Sequence, residues 1–193
     1  MVRWVLASDI GQARDYTAVA VIEAVPDALH LKHLGRAPLG TDYGRIADDI
    51  GKLYDALPDP KELVIDGTGV GRPVVDLLRK PGHRAVVPAS ITNGYRVRKD
   101  EAGFWRVPKR PLVTALTTAI ETNYMKIAKD LPCLNIFERE LKAYQAKISA
   151  TGHTSYDGGS EHDDTVIAVA LGVWRLRATA GHSGTQGQGR DAA

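Results

Sequence analysis

Two apolar runs in this sequence end the same way. "VRWVLASDIG" starts at Val2 and reaches Asp9 just before its end, and "ELVIDG" starts at Glu62 and does the same at Asp66. Runs this short and this apolar read as strands buried in a sheet. A carboxylate at the end of a buried strand must be paired or neutralised, because desolvating a lone charge is costly. A chain with two such strands is restricted to folds in which something at the strand ends answers both acids. A divalent cation is one such answer.

The rest of the pattern supplies the sheet. "DYTAVAVIEAV" and "ALHLKHLGRA" read as two more strands around the Pro26–Asp27 turn, so the chain opens with an antiparallel meander of three strands. "DYGRIADDIGKLYDAL" carries Ile46, Ile50, Leu53 and Leu57 at helical spacing. "RPVVDLLRK" predicts a helix with Pro73 near its start, and "RAVVPAS" a further strand. A basic, aromatic segment runs from Tyr95 to Arg110. Two helical runs follow, "PLVTALTTAIETNYMKIAKDL" and "NIFERELKAYQAKISA". The loop "TGHTSYDGGSEH" then leads to a last helix, "DDTVIAVALGVWRLRA". The expected fold is α/β, a mixed β-sheet of three antiparallel strands and then parallel strands, flanked by helices, with an added basic β-hairpin. One domain is expected over residues 1–179, and a disordered tail over 180–193, where apolar groups are few.

Bulk properties narrow the setting. The 25 Lys and Arg against 23 Asp and Glu give a net charge of +2, too small to argue for nucleic acid without knowing where the charges lie. Cys133 is the one cysteine, so no disulfide forms within the chain, which fits a reducing interior. Its surroundings, "DLPCLNIF", are apolar with no basic activator, so a buried structural role is expected rather than a nucleophile. "TVIAVALGVW" is too short to span a bilayer, and the N-terminus lacks a secretory signal. No membrane partner and no small-molecule cofactor are expected.

The third acidic occurrence is "EHDDTVIAVALGVW", where Asp163 and Asp164 open a helix that is apolar nearly all round. With Asp9 and Asp66 they offer hard oxygen ligands from three elements, which suits Mg²⁺ or Mn²⁺ and makes a poor Zn²⁺ site. Two such ions about 4 Å apart activate water and stabilise the leaving oxygen in phosphodiester hydrolysis. Asp164, Ala168, Leu171 and Gly172 share a stripe whose small residues permit close approach to a sheet. Asp163 lies roughly 100° round the helix, beside Ile167 and Trp174. Asp164 is therefore expected as the principal ligand and Asp163 as a second ligand or a cap. Glu161 and His162 are candidate helpers, although a loop histidine is more often simply solvated. "GTGVG" after Asp66 is not a Walker A loop, because Arg72–Pro73 stands where Lys–Ser/Thr is required, and its spacing is not a dinucleotide fingerprint. Its glycines let the chain turn sharply beside Asp66 and start a helix.

The cations concentrate in "YRVRKDEAGFWRVPKR". Arg96, Arg98, Lys99, Arg106, Lys109 and Arg110 outnumber Asp100 and Glu101 there, with Tyr95, Phe104 and Trp105 interleaved. "KDEAG" reads as a hairpin tip. Such a hairpin beside an acidic centre holds phosphates, with Lys109 the best single candidate and Trp105 among the contacts. No base-reading pattern is evident. The plainer alternative is an edge hairpin whose cations deter aggregation. The helix bearing Arg139, Lys142 and Lys147 also carries Glu138 and Glu140, and is expected to be a solvated face.

The stretches "SDIGQARDYTAVAVI", "LVIDGTGVGRPVVDLL", "GFWRVPKRPLVTAL" and "EHDDTVIAVAL" together cover most of Asp9 to Leu171. In this order they resemble the nuclease domain of the large terminase subunit of tailed bacteriophages, in the ribonuclease H-like superfamily. The aspartates alone point to the superfamily, and "VPKRPLV", two helices and "DD" make the match to terminases more specific. The resemblance implies a metal-dependent endonuclease that cuts double-stranded viral concatemer DNA with little sequence specificity during genome packaging. It implies two Mg²⁺ or Mn²⁺ ions held by Asp9, Asp66 and the Asp163–Asp164 pair, with Asp15 where some members carry a further acid. In the plain reading Asp15 is a turn residue. The resemblance also implies a packaging ATPase domain, portal and small terminase as partners in the host cytoplasm. Complete large subunits carry the ATPase before the nuclease, and this sequence has no Walker A motif. An excised or separately encoded nuclease is expected, without ATP-driven translocation.

Other readings remain at this stage. A resolvase of the same superfamily would use the same metals on four-way junctions, but would need a symmetric dimer. "SDIG" and "IDGTGVG" loosely echo sugar-kinase and actin-like phosphate loops, which need two lobes and a longer chain. A non-catalytic DNA-binding module is the last alternative, and it predicts that Asp66→Asn changes nothing.

Overall fold

The computed structural model describes residues 3–11, 15–79, 86–151 and 162–180. Glu161, most of the loop before the last helix, and the expected tail from residue 181 onward lie outside the described residues. Eight strands form one sheet: β1 (Arg3–Asp9), β2 (Ala18–Val25), β3 (Ala28–Arg36), β4 (Lys61–Asp66), β5 (Val86–Thr92), β6 (Arg98–Lys99), β7 (Trp105–Pro108) and β8 (Met125–Ile127). Their order across the sheet is β6-β7-β5-β4-β1-β2-β3-β8. β1, β2 and β3 pair antiparallel as the meander predicts, while β4, β5 and β7 extend the sheet in parallel from β1. The mixed sheet expected from the sequence is the one observed.

β1 is apolar on both faces because both are covered. Successive strand residues face opposite sides. Val5 and Ala7 join one core layer, and Leu6 joins the other. Helices α1 (Tyr43–Asp55) and α2 (Arg72–Leu78) pack on the Leu6 side through Ile46, Ile50, Val74 and Leu78. Asp42 starts α1 by accepting the Arg45 N–H at 2.9 Å. Helices α3 (Lys109–Glu121), α4 (Leu134–Thr151) and α5 (Asp164–Ala180) cover the opposite face. α5 is the central one, buried continuously from Asp164 to Val173. It lies flat on β1 and β2 because Gly172 has no side chain: a Cβ there would stand 2.7 Å from Ile22 Cδ1. Among the described residues no helix is long and apolar enough to cross a membrane.

Two expectations need correction. The helical run expected through Leu131 breaks at residue 122. α3 ends at Glu121, Asn123 takes a left-handed φ of 56°, and Met125–Ile127 pair in parallel with β3. Asparagine tolerates that conformation, and the short strand covers β3's otherwise bare edge, with the Leu29 N–H donating to the Tyr124 carbonyl at 2.9 Å. The other correction is at the start of α3, which begins at Lys109. Lys109 and Arg110 therefore belong to a helix's first turn and not to the hairpin. Cys133 is half-buried against the core, and its carbonyl accepts the N–H groups of Ile136 and Phe137 at 3.0 Å each.

Candidate functional site

Strand parity brings the acids together. Ser8 lies opposite Ile65 in the parallel β1–β4 pair, so Asp9 and Asp66 end neighbouring strands side by side. Asp9 is two residues beyond Ala7, and Asp66 two beyond Val64, both of which face the α5 layer. Asp164 is the first residue of α5. The acids thus meet at the carboxyl ends of the central strands, where open α/β sheets commonly bind ligands.

The electrostatics report the same proximity. Burial, followed by the charges of Asp66, Asp164 and Asp163, drives the Asp9 carboxyl well above the usual carboxylate range, with Lys109 opposing. Among the described residues no hydrogen-bond donor meets Asp9. Asp66 is 5% exposed and is also pushed up by burial, against the hydrogen bonds of Thr68. Its Oδ1 accepts the Thr68 N–H at 2.8 Å and the Thr68 hydroxyl at 2.6 Å, and that hydroxyl oxygen accepts the Ile91 N–H at 2.8 Å. The glycine turn that follows is as tight as the sequence suggests, since a Cβ on Gly71 would come within 2.0 Å of the Asp66 carbonyl oxygen.

Asp164 is 6% exposed, and burial, then the neighbouring Glu140 charge, raises it to about 6. Its Oδ2 receives Arg36 Nη2 at 3.4 Å and the Tyr16 N–H at 3.3 Å. Asp163 is more exposed and pairs with Lys109 Nζ at 2.6 Å. Lys109 therefore contacts the acidic cluster directly. Asp15 is largely exposed but lies 3.6 Å from His162 Nδ1, which is itself 3.9 Å from Asp164 Oδ2. Asp15, His162 and Asp164 present ligand atoms within 4.8 Å of one another. His162 also packs edge-on against the Tyr16 ring at 5.3 Å.

A divalent ion fits this donor set. The ligands are hard oxygens from β1, β4 and α5, and Asp9, with no donor and three like charges against it, is held in a state that a cation relieves. Asp9, Asp66, Asp163 and Asp164 are all brought together, and Asp15 stands at the rim beside His162.

The basic segment occupies the sheet's far edge. Asp66 is opposite Ala89, Ala89 opposite Trp105, and Trp105 opposite Lys99, one row across four strands. At about 4.8 Å per strand, Lys99 stands roughly 14 Å from Asp66 along the sheet. Arg96, Arg98, Lys99 and Arg110 are exposed. Arg106 lies 3.9 Å from Asp100. Trp105 is half-buried edge-on against Trp174 of α5 at 6.1 Å, with Lys99 5.8 Å above its ring.

Several residues around the site have no counterpart among the sequence expectations. Arg72 and Arg79 of α2 lie 5.1 and 5.8 Å from the Phe104 ring, adding cations beside the hairpin. Arg36 and Tyr16 hold Asp164, with no pattern in the sequence to mark them. Glu140, expected on a solvated face, is instead 4% exposed. Its spacing from the buried Phe137 and Tyr144 puts it on the apolar stripe of α4, and that spacing is the signal that could have found it.

No protein-family model matches this sequence, and no curated protein matches it. Solved structures do. The full large terminase of one thermophilic bacteriophage aligns with a TM-score of 0.63 at 12% identity, over 91% of this chain and 40% of that one. The large terminase nuclease from another thermophilic phage, G20c, gives a TM-score of 0.59 at 18% identity, over 90% and 82%. A Mn-soaked human cytomegalovirus terminase nuclease domain gives 0.50 at 16% identity, over 88% and 81%. The chain spans well under half of the first of these proteins and most of the two nuclease-only structures. Its fold is the ribonuclease H-like fold of large-terminase nuclease domains.

Proposed function

We propose that this protein is a metal-dependent endonuclease that cuts double-stranded DNA with little sequence specificity, the nuclease of a phage packaging machine. The observation that carries the proposal is the convergence of Asp9, Asp66, Asp163 and Asp164, seen in the raised proton affinity that the others impose on Asp9. Four carboxylates concentrated at strand ends repel one another unless a cation is bound, and a fold retains such a cluster when the cation is used. The Mn-soaked viral nuclease domain of the same fold supports the choice of ion.

Asp9, Asp66 and Asp164 would hold the ions, with Asp163 as a further ligand and Asp15 at the rim. Two bound Mg²⁺ or Mn²⁺ ions supply an acidified water and charge stabilisation for a departing 3′ oxygen. The chain's own contribution is position. Thr68 fixes the Asp66 carboxylate, and Arg36 and the Tyr16 N–H fix one oxygen of Asp164. Lys109 balances the acids and stands where a phosphate would approach them. Arg96, Arg98, Lys99, Arg106 and Arg110, with Arg72 and Arg79, offer cations to the DNA backbone. The packaging ATPase, portal and small terminase belong to this proposal as partners, on the strength of a fold that recurs within a full-length large terminase.

The test is plasmid nicking with Mg²⁺, Mn²⁺ or Ca²⁺ and with a chelator, beside the Asp9→Asn variant. Cleavage should require Mg²⁺ or Mn²⁺ and disappear in the variant. Nicking that survives chelation refutes the proposal.

A further inference from the structure

Arg36 ends β3 with its side chain only 10% exposed, between two buried carboxylates. Nη1 lies 3.5 Å from Glu140 Oε1, Nη2 lies 3.4 Å from Asp164 Oδ2, and the guanidinium carbon sits 3.5 Å from the centre of the Tyr16 ring. A single cation thus serves two anions. The Glu140 side chain is 3% exposed, and its two oxygens have separate duties. Oε2 accepts the N–H groups of Thr165 at 2.9 Å and Val166 at 3.4 Å, together with the Thr165 hydroxyl. It thereby holds the first turn of α5, whose amides have no helical partners. Oε1 makes no hydrogen bond and faces Arg36. On Asp164, Arg36 and the Tyr16 N–H both take Oδ2, and Oδ1 meets no donor among the described residues.

Charge balance decides what this arrangement does. If Glu140 were neutral, the whole charge of a buried arginine would fall on Asp164 and compete with any ion bound there. With Glu140 ionised, the trio keeps one net negative charge, and Asp164 keeps a free oxygen to present.

We propose that Glu140 is a positioning residue for the cation site, holding the Arg36 charge away from Asp164 so that Asp164 can bind a divalent ion through its free oxygen. The inference rests on the reading of Asp164 as a metal ligand. It goes beyond that reading by assigning a role to a side chain that touches neither ion nor DNA.

The test is Mn²⁺ binding to the full chain by calorimetry at fixed pH and salt, with no activity measured. In Glu140→Gln the amide oxygen can still accept the Thr165 and Val166 bonds, so α5 stays capped. Its Mn²⁺ dissociation constant should rise about tenfold, as expected for one nearby charge. The double variant Arg36→Gln/Glu140→Gln restores the net charge and should return to within about threefold of the original value. Arg36→Gln alone leaves two carboxylates with no buried cation, and should bind Mn²⁺ more tightly than the unaltered chain. A purely structural role gives the opposite pattern, with every variant equal or weaker and the double variant worst. An unchanged Glu140→Gln, or an Arg36→Gln that binds more weakly, overturns the inference alone. If Glu140→Gln does not fold, the Arg36→Gln result still decides it. An unaltered chain that binds no Mn²⁺ removes the proposed function and this inference with it.

Discussion

The acidic end of the sheet and its basic edge lie in one row of residues, and they are built in opposite ways. At the acidic end, Asp66 and Asp164 are buried, with their carboxylates fixed by Thr68, Arg36 and the Tyr16 N–H. At the edge, Arg98 and Lys99 are exposed on a two-residue strand. That strand is tied to the core through Trp105 and Trp174. The difference matches what each region is asked to do. Holding an ion requires oxygens at fixed positions, and only core packing fixes them. Attracting a phosphate backbone requires positive charge within a Debye length, about 8–10 Å at ordinary salt, and tolerates mobile side chains.

The comparison can be broken most sharply at Asp9. Asp9→Asn should lower nicking by at least about a hundredfold, because the ions lose a ligand from β1. The same change removes a carboxylate that three others repel, so the melting temperature of the metal-free chain should rise. A variant that cleaves normally, or that melts lower without metal, contradicts the picture of a strained acidic end. Gly172 comes next. Gly172→Val drives a branched side chain into Ile22 and tilts α5 away from β1, and it should cost roughly 1–3 kcal/mol by denaturant unfolding. Mn²⁺ affinity should fall with it, since Asp164 rides on that helix.

The pH dependence sharpens the contrast further. Asp164 titrates near 6 in the folded chain, above an unfolded carboxylate, so the native state binds the extra proton. Without metal, stability should therefore fall as pH rises from about 4 through about 6, with Asp9 extending the trend upward. Mn²⁺ binds the ionised form, so the stabilisation it confers should grow over the same window. Thermal melts with and without Mn²⁺ across that range check both signs, and parallel curves contradict them. The smallest effect is expected at the edge. Replacing Arg98 and Lys99 by alanine should weaken duplex binding a few-fold and flatten the salt dependence by about two phosphate contacts, leaving Mn²⁺ affinity unchanged.

Legibility in the sequence follows the same division. The strands around Asp9 and Asp66 and the helix after Asp164 are readable because burial leaves a periodic trace. Parity then carries the acids to one face. What stays hidden depends on contacts between distant elements. Arg36 closes a strand, Tyr16 sits beyond a turn, and neither has a local pattern. Glu140 reads as solvated amid its charged neighbours, and only its place between Phe137 and Tyr144 marks it as buried. The strand at Met125 is hidden for a different reason. Its three residues suit a helix equally well, and the break depends on Asn123 adopting a left-handed conformation against the edge of β3.

The most direct measurement is anomalous diffraction from a crystal soaked in Mn²⁺. The expected result is density for manganese between the carboxylates of Asp9, Asp66 and the Asp163–Asp164 pair, lost in Asp66→Asn. Four carboxylates pointing apart, with no manganese among them, would contradict the metal centre and the hydrolytic function proposed from it.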